Sequence, residues 1–379
     1  MIYLDAAATS GYRRIDNIVI DAMILAMKKY WQNPSSLYAA DVREKINECR
    51  DNLAKFIGAE PNEIYFTSGA SESNNWAIRG WVDGQFFSFK TIITTKIEHK
   101  SILDAVNNDA LRCRVRYCDV DEFGFVDCEC LEKLLIGCNN DSVLVSIGLA
   151  NNEIGTIQPI KEIADLVHKY DGVLHVDATQ AVGHIPVNVE ELDVDMLSAS
   201  GHKISPMLKG IGFLYKRDCI DIKPLIYGSQ ESGMRGGTEN TFGIIGLGEA
   251  IYHCDVSCNK IDEMCYKRNY FINILERKFD CELNGDSYHR LPNNINVTLP
   301  EGVSGESVLY MLSMSNIFIS TASACNSHSI APSSVLKAIG LSDDEAMRSI
   351  RITISDNTTY DDINYFISEL DKIIKIIKG

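Results

Sequence analysis

The sequence predicts an α/β protein, built as a large, mostly parallel sheet domain followed by a smaller α+β domain, and three observations carry that prediction. From residue 63 to residue 215, short apolar runs alternate with amphipathic stretches of helical period, the order expected of right-handed crossovers and a sheet covered on both faces. A second, shorter alternation of strand and helix begins at residue 293. With 379 residues, 45% of them hydrophobic and 23% charged, the chain has the material for two or more domains. The boundary is expected near Cys254, giving a large domain over 13–254 and a small one that joins 1–12 to 255–379.

In chain order, an opening strand at 2–4 runs into Asp5-Ala6-Ala7-Ala8-Thr9, whose small side chains let the backbone pass close to another group. Helix 16–31 is stopped by Asn33-Pro34-Ser35-Ser36, and helix 41–57 by Gly58. Strand 63–67 leads to Ser68-Gly69-Ala70-Ser71 at the start of a helix. Free N–H groups, the helix dipole and the hydroxyls make such a turn a cradle for phosphate, although taken without the downstream lysine Ser71 reads rather as an ordinary cap. Strand 91–95 delivers Glu98-His99-Lys100, strand 142–148 delivers Asn151-Asn152-Glu153, and helix 160–170 returns the chain to strand 173–177.

Ligands of an open parallel sheet sit outside the carboxyl ends of its strands, so Ser71, His99, Asn152, Asp177 and Lys203 should converge. Strand 212–215 closes the domain, and 228–238 is a glycine-rich loop carrying Arg235 and Thr238. Helices follow at 241–253 and 261–279, the second linking the domains. The small domain alternates strand and helix over 293–298, 305–314, 317–320, 332–339, 349–354 and 359–377. Between two of its elements, a loop of small residues at 320–329 carries Cys325, with the exposure and room to travel that a thiolate nucleophile needs. Arg351, on the apolar strand Ile350-Arg351-Ile352, needs a partner, and a bidentate carboxylate clamp is its natural use.

The chemistry is organised around Asp177 and Lys203, an acid at the end of one apolar strand and a lysine just after the next. Either residue alone reads as a cap or a solvated surface group. Together they fit pyridoxal phosphate (PLP): the carboxylate keeps the pyridine nitrogen protonated so that the ring can withdraw electrons, and the amine forms the internal Schiff base.

Composition excludes several other roles. A formal net charge of −16 argues against a direct nucleic-acid partner. No apolar run approaches the roughly 20 residues that span a bilayer, and the first residues read as a strand rather than a signal peptide, so a cytoplasmic protein is expected. The twelve cysteines then read as free thiols. Cys113, Cys118, Cys128, Cys130 and Cys138 lie near one another in sequence but lack recurrent CxxC spacing or a histidine at ligand spacing, and no metal site is expected.

Taken in order, Asn33-Pro34-Ser35-Ser36, Phe66-Thr67-Ser68-Gly69-Ala70-Ser71-Glu72, Glu98-His99-Lys100, Asn151-Asn152-Glu153-Ile154-Gly155, His175-Val176-Asp177-Ala178-Thr179-Gln180, Ser200-Gly201-His202-Lys203 and Ser323-Ala324-Cys325 resemble the cysteine desulfurases, in the group that feeds nitrogenase and iron-sulfur cluster assembly. The resemblance runs from Tyr3 to the final helix. It implies the aspartate-aminotransferase type of fold, PLP as cofactor, a homodimer, L-cysteine as substrate and a sulfur acceptor or iron-sulfur scaffold protein as partner. It also implies roles: Lys203 carrying PLP and acting as base on the substrate α-carbon, Asp177 on the pyridine nitrogen, His99 stacked on the ring and moving protons, and Gln180 on the ring oxygen. Ala70, Ser71, Ser200 and His202 would hold the phosphate, with Thr238 reaching it from the other subunit. Asn152 and Arg351 would hold the substrate carboxylate, with Asn33 nearby and Asn152 also against the cofactor. Cys325 would take the sulfur, leaving alanine and a persulfide.

The chain departs from the family pattern at Tyr38, where a histidine is common, at 206–210, one residue longer than usual, and at Tyr227-Gly228-Ser229, which replaces a His-Gly-Gly-Gly run. A selenocysteine lyase, or another PLP lyase or aminotransferase, of the same fold and a catalytically idle scaffold protein are the rival readings.

Overall fold

The computed structural model describes residues 1–13, 15–85, 89–138, 141–321 and 331–379. Its first strand, β1 (Ile2–Tyr3), stands apart from the main sheet. That sheet is made by β2 (Ile64–Thr67), β3 (Lys90–Thr95), β4 (Arg114–Cys118), β5 (Ser142–Gly148), β6 (Val173–Asp177), β7 (Met196–Ser200) and β8 (Gly212–Lys216), in the spatial order β2-β8-β7-β6-β5-β3-β4. The central ladders are parallel, and β8 runs against both of its neighbours. The connection from β7 to β8, residues 201–211, is too short for a parallel crossover of a dozen or more residues, so the strand returns antiparallel. Strands β7 and β8 are buried throughout, as expected of strands covered on both faces.

The strand at β4 and the helices Lys100–Val106 and Cys128–Ile136 escape the sequence reading. Arg-Val-Arg-Tyr-Cys lies at the sheet edge, where charged side chains face water and the apolar run that marks a central strand is missing. On one side of the sheet, helices Ile15–Lys29 and Ala40–Ile57 pack against Thr241–Tyr252. The last of these approaches closely because Gly248 has no side chain: a Cβ there would stand 2.5 Å from the sulfur of Cys49.

A second core forms around a four-stranded antiparallel sheet. Its strands are β9 (Glu282–Leu283), β10 (Asn294–Thr298), β12 (Ser320–Thr321) and β13 (Ser349–Thr353), ordered β12-β13-β10-β9, while β11 (Ile317–Phe318) pairs with β1 in parallel. Helices Cys258–Phe279 and Tyr360–Lys378 cover it, with the rings of Phe271 and Phe366 meeting edge to face at 5.0 Å. Leu4 is fully buried among these same residues, so the first residues of the chain belong to the core made by the last. A small cluster of Ile97, Ile154, Val335 and Leu336 packs between the two cores.

No helix among the described residues is long and apolar enough to cross a membrane.

Candidate active site

The carboxyl ends of β2, β3, β5, β6 and β7 open onto one cavity of about 740 Å³. Its lining includes Ala70, Ser71, His99, Asn152, Asp177, Gln180, Ser200, His202, Lys203 and Arg351, ten of the residues singled out from sequence. Apart from Arg351, which comes from β13 of the second sheet, sequence-distant strands deliver these groups because a parallel sheet stacks all of its strand ends on one edge.

Asp177 ends β6 and is 8% exposed. The backbone N–H of Thr179 donates to its Oδ1 at 3.0 Å, and the amide of Asn74 donates to its Oδ2 at 2.7 Å. With both oxygens held, the carboxylate is fixed in direction and retains lone pairs for a protonated ring nitrogen. Lys203 sits in the short helix Gly201–Ile204 directly after β7, where its Nζ donates to the carbonyls of Ala7 at 2.5 Å and Ala8 at 2.8 Å. Gln180 donates to the same Ala7 carbonyl at 3.1 Å. The small residues 5–9 thus lie against the site, as their size suggested.

The anion cradle is built from two close backbones. Gly69 caps helix Ala70–Gly84 at φ 148°, and a Cβ there would stand 3.3 Å from Ser200 Oγ. The first N–H groups of this helix, at Ala70 and Ser71, have no intrahelical acceptor by geometry. Ser200 Oγ lies 2.8 Å from His202 Nδ1. Burial, with Lys203, Lys209 and His99 nearby, lowers the His202 pKa to about 4, so a neutral ring faces the cradle. Lys209, which sequence reasoning passed over, lines the same wall.

On the opposite wall Arg351 projects from β13, 5% exposed. Its Nη2 donates to Asp5 Oδ1 at 2.8 Å and its Nη1 to the carbonyl of Asn152 at 3.0 Å, while its buried Nε has no partner among the described residues. Asp5 was read only as part of a close-running segment, because nothing local ties it to a residue 346 positions later.

Two further carboxyls were not assigned from sequence. Glu98, 8% exposed, accepts from Thr95 Oγ1 and from the N–H of Gly148, both at 2.7 Å. Burial raises its pKa to about 7 against those bonds, with Asp177 adding to the rise. Glu153 accepts from Ser333 Oγ at 2.5 Å, and burial again lifts it to about 7 against the pull of Ser333 and Arg351.

The glycine-rich loop is pinned by charge. Arg235 binds both oxygens of Glu72, on the cradle helix, at 2.8 and 3.1 Å, and Arg50 binds both oxygens of Glu231 at 2.9 and 2.8 Å. Two predicted residues lie elsewhere: Asn33 is exposed and accepts the N–H of Ser35 at 2.9 Å, and Thr238 is exposed on the loop. Cys325 lies outside the described residues.

An oriented acid, a lysine amine, an anion cradle and a carboxamide are the donor set that pyridoxal phosphate requires, and beside them the buried Thr179 Oγ1, which has no partner among the described residues, leaves room for a ligand group in that wall. Residues 2–366 match the family model of the class-V aminotransferases. The cysteine desulfurase IscS of Dictyoglomus turgidum is 44% identical over 383 residues, covering 100% of this chain and 95% of that protein. Among solved structures, a NifS-like protein superposes with a TM-score of 0.90 at 33% identity, covering 99% of each chain. SspA in complex with cysteine gives a TM-score of 0.81 at 34% identity, covering 93% of this chain and 99% of that one. With the site geometry and these likenesses in agreement over its whole length, the chain belongs to the class-V aminotransferase family, in its NifS/IscS-like group of cysteine desulfurases.

Proposed function

We propose that this protein removes sulfur from L-cysteine with pyridoxal phosphate as cofactor, leaving L-alanine and a persulfide on Cys325. The observation that carries this reading is the convergence on one cavity of Lys203, Asp177, the Ser71–Ser200–His202 cradle and, on the facing wall, Arg351. When bound, the cofactor supplies the electron sink that lets the substrate α-carbon lose its proton and the Cβ–Sγ bond weaken.

The chain's own residues do the remainder. Asp177 orients and charges the ring nitrogen, and Gln180 is placed for the ring oxygen. Ser71, Ser200 and His202 hold the phosphate. Lys203 anchors the cofactor and moves the α-proton. Asn152 and Arg351 receive the substrate carboxylate, which must take donors from Arg351 alongside or in place of Asp5. The Cys325 thiolate attacks the substrate sulfur: an S–S bond forms, the Cβ–Sγ bond breaks, and the thiol proton ends on Cβ. Cysteine plus thiolate thus gives alanine plus persulfide with no external oxidant.

We further read the chain as a cytoplasmic homodimer that hands its sulfur to an iron-sulfur scaffold or another acceptor protein. Trp31, Leu37, Tyr38 and Tyr227 are 68–96% exposed, an apolar surface suited to a second copy, whose Thr238 would reach the cradle. The separate hydrophobic cores support a two-domain division at 13–254 against 1–12 and 255–379.

The test is direct. The purified protein should be yellow, absorbing near roughly 410 nm, and should form one alanine per sulfur released from cysteine. Turnover of selenocysteine alone would favour the lyase alternative, and a colourless protein that takes up no cofactor would favour the idle scaffold.

A further inference from the structure

A chain of side-chain hydrogen bonds leaves the cofactor wall and ends on His99. Asn74 is fully buried on helix Ala70–Gly84, one turn beyond the anion cradle. Its Nδ2 donates to Asp177 Oδ2 at 2.7 Å and to Ser101 Oγ at 2.9 Å. Ser101 Oγ lies 2.8 Å from His99 Nδ1, and the backbone N–H of Ser101 donates to the same nitrogen at 3.1 Å. The neighbouring Asn75 donates to the carbonyls of Ser71 and Ser101 at 2.8 and 3.3 Å, tying the two helices together beneath the chain.

The direction of every proton in this chain follows from its first member. The Asn74 amide turns its nitrogen to Asp177 Oδ2, which accepts; the reverse orientation would set two acceptors against each other. The fully buried Oδ1 of Asn74 has no partner among the described residues, a cost that its two donated bonds offset. Ser101 Oγ receives the second amide proton, which leaves its own hydroxyl proton for His99 Nδ1. Because the Ser101 N–H points at Nδ1 as well, that nitrogen accepts two bonds and has no room for a proton.

We propose that Asn74 and Ser101 are positioning residues that transmit the orientation of Asp177 to His99, holding its neutral ring as the tautomer with the proton on Nε2. Resting on the reading of Asp177 and His99 as cofactor contacts, this makes neutral His99 a donor from Nε2 rather than a resting base, with Nδ1 reserved for the protein. Two groups that touch different parts of the bound ring are then set by one rigid path, and the short motif at 71–75 supplies both the cradle and the relay.

Nitrogen NMR of histidine-labelled protein at pH 8, cofactor-free and cofactor-loaded, tests the assignment by reading which ring nitrogen carries the proton. Wild type should show a single Nε2–H tautomer for His99 in both forms. Ser101→Ala removes one of the two donors to Nδ1, and Asn74→Leu frees the Ser101 hydroxyl to accept. The Nδ1–H fraction should rise several-fold in each, and Ser101→Thr, which restores the hydroxyl, should restore the wild-type pattern. A mixed or Nδ1–H pattern in wild type overturns the proposal. So does an unchanged His99 pattern in Ser101→Ala, a half-buried position whose truncation leaves the fold intact even if Asn74→Leu does not fold. The cofactor-free spectrum reads the relay independently of turnover, so a protein that shows the tautomer yet makes no alanine counts against the desulfurase reading alone.

Discussion

The two walls of the cavity are built on different terms. The proposed cofactor wall is made of strand ends from a single sheet and the segments that follow them, and its key carboxylate is held by neutral donors, Asn74 on the helix after β2 and the Thr179 N–H just after β6. The proposed substrate wall is assembled across the molecule: Arg351 from β13 meets Asp5 from the first residues, and, outside the residues that line the cavity, Glu153 from the loop after β5 meets Ser333 at the start of helix Ser334–Ala338. The first arrangement is stiff because neighbouring ladders enforce it. The second depends on ion pairs and single hydrogen bonds between separate cores, which substrate can exchange. A site that must hold one ligand through many turnovers and release another in each has reason to be built this way.

Substitutions separate the walls. The largest effect is expected from Lys203→Ala, which removes the cofactor anchor and the base together: alanine formation should fall by about 10⁴-fold or more in a protein that still unfolds cooperatively. Retention of a tenth of the rate would remove Lys203 from the chemistry.

Next comes the facing wall. Arg351→Lys keeps the charge but loses the planar fork, so KM for cysteine should rise about tenfold, the equivalent of about 1.4 kcal/mol, while cofactor content stays constant. A variant that unfolds, with KM unchanged in the surviving fraction, would reduce the Arg351–Asp5 pair to a structural bridge.

Glu98 gives a smaller, pH-dependent effect of known sign. Its folded pKa of about 7 stands above the ordinary 4.5, so the folded state binds the proton more tightly. Its contribution to stability therefore falls as pH rises from about 4.5 through 7, and the loss is complete above that. Glu98→Gln mimics the neutral form, with the amide placed to donate to Thr95 and the oxygen to accept from Gly148. Between pH 6 and pH 8 the variant should gain about 1 kcal/mol on wild type in urea unfolding. Parallel pH curves would show that the Glu98 carboxyl is ionised throughout.

The smallest effect belongs to Ser333→Ala, which loses the cap on the Val335 and Leu336 N–H groups and the tie to Glu153. A loss of about 1 kcal/mol, with KM for cysteine raised up to about twofold, is expected if that tie steadies the substrate wall.

The same contrast decides what could be read in advance. Strand ends of the parallel sheet announce themselves locally, by an apolar run followed by small or polar residues, and His99, Asp177 and Lys203 were found that way. Groups that act across the fold left no such mark. Asn74 looks like any polar residue in the first turns of a helix, yet it is the buried partner of a residue 103 positions away. Asp5 could be tied to Arg351 only once β1 and β13 were known to share a core. β4 escapes a reading by apolar runs because an edge strand carries charge on alternate residues, and Asn33, placed near the substrate only by resemblance, lies outside the lining of the cavity, its side chain accepting from the Ser35 N–H.

The strap at residues 5–10 ties the site to the order in which the chain is made. Asp5 pairs with Arg351, the Ala7 and Ala8 carbonyls accept from Lys203, and the N–H of Ser10 donates to the His202 carbonyl at 3.0 Å. At roughly 5–20 residues per second, the 346 positions between Asp5 and Arg351 take about 20 to 70 s to synthesise. Through that interval the large sheet can fold and its lysine can find the strap's carbonyls, but the arginine of the substrate wall has yet to be made. A nascent chain is therefore able to fold its cofactor wall well before it can grip a substrate, and sulfur chemistry waits until the chain is nearly complete.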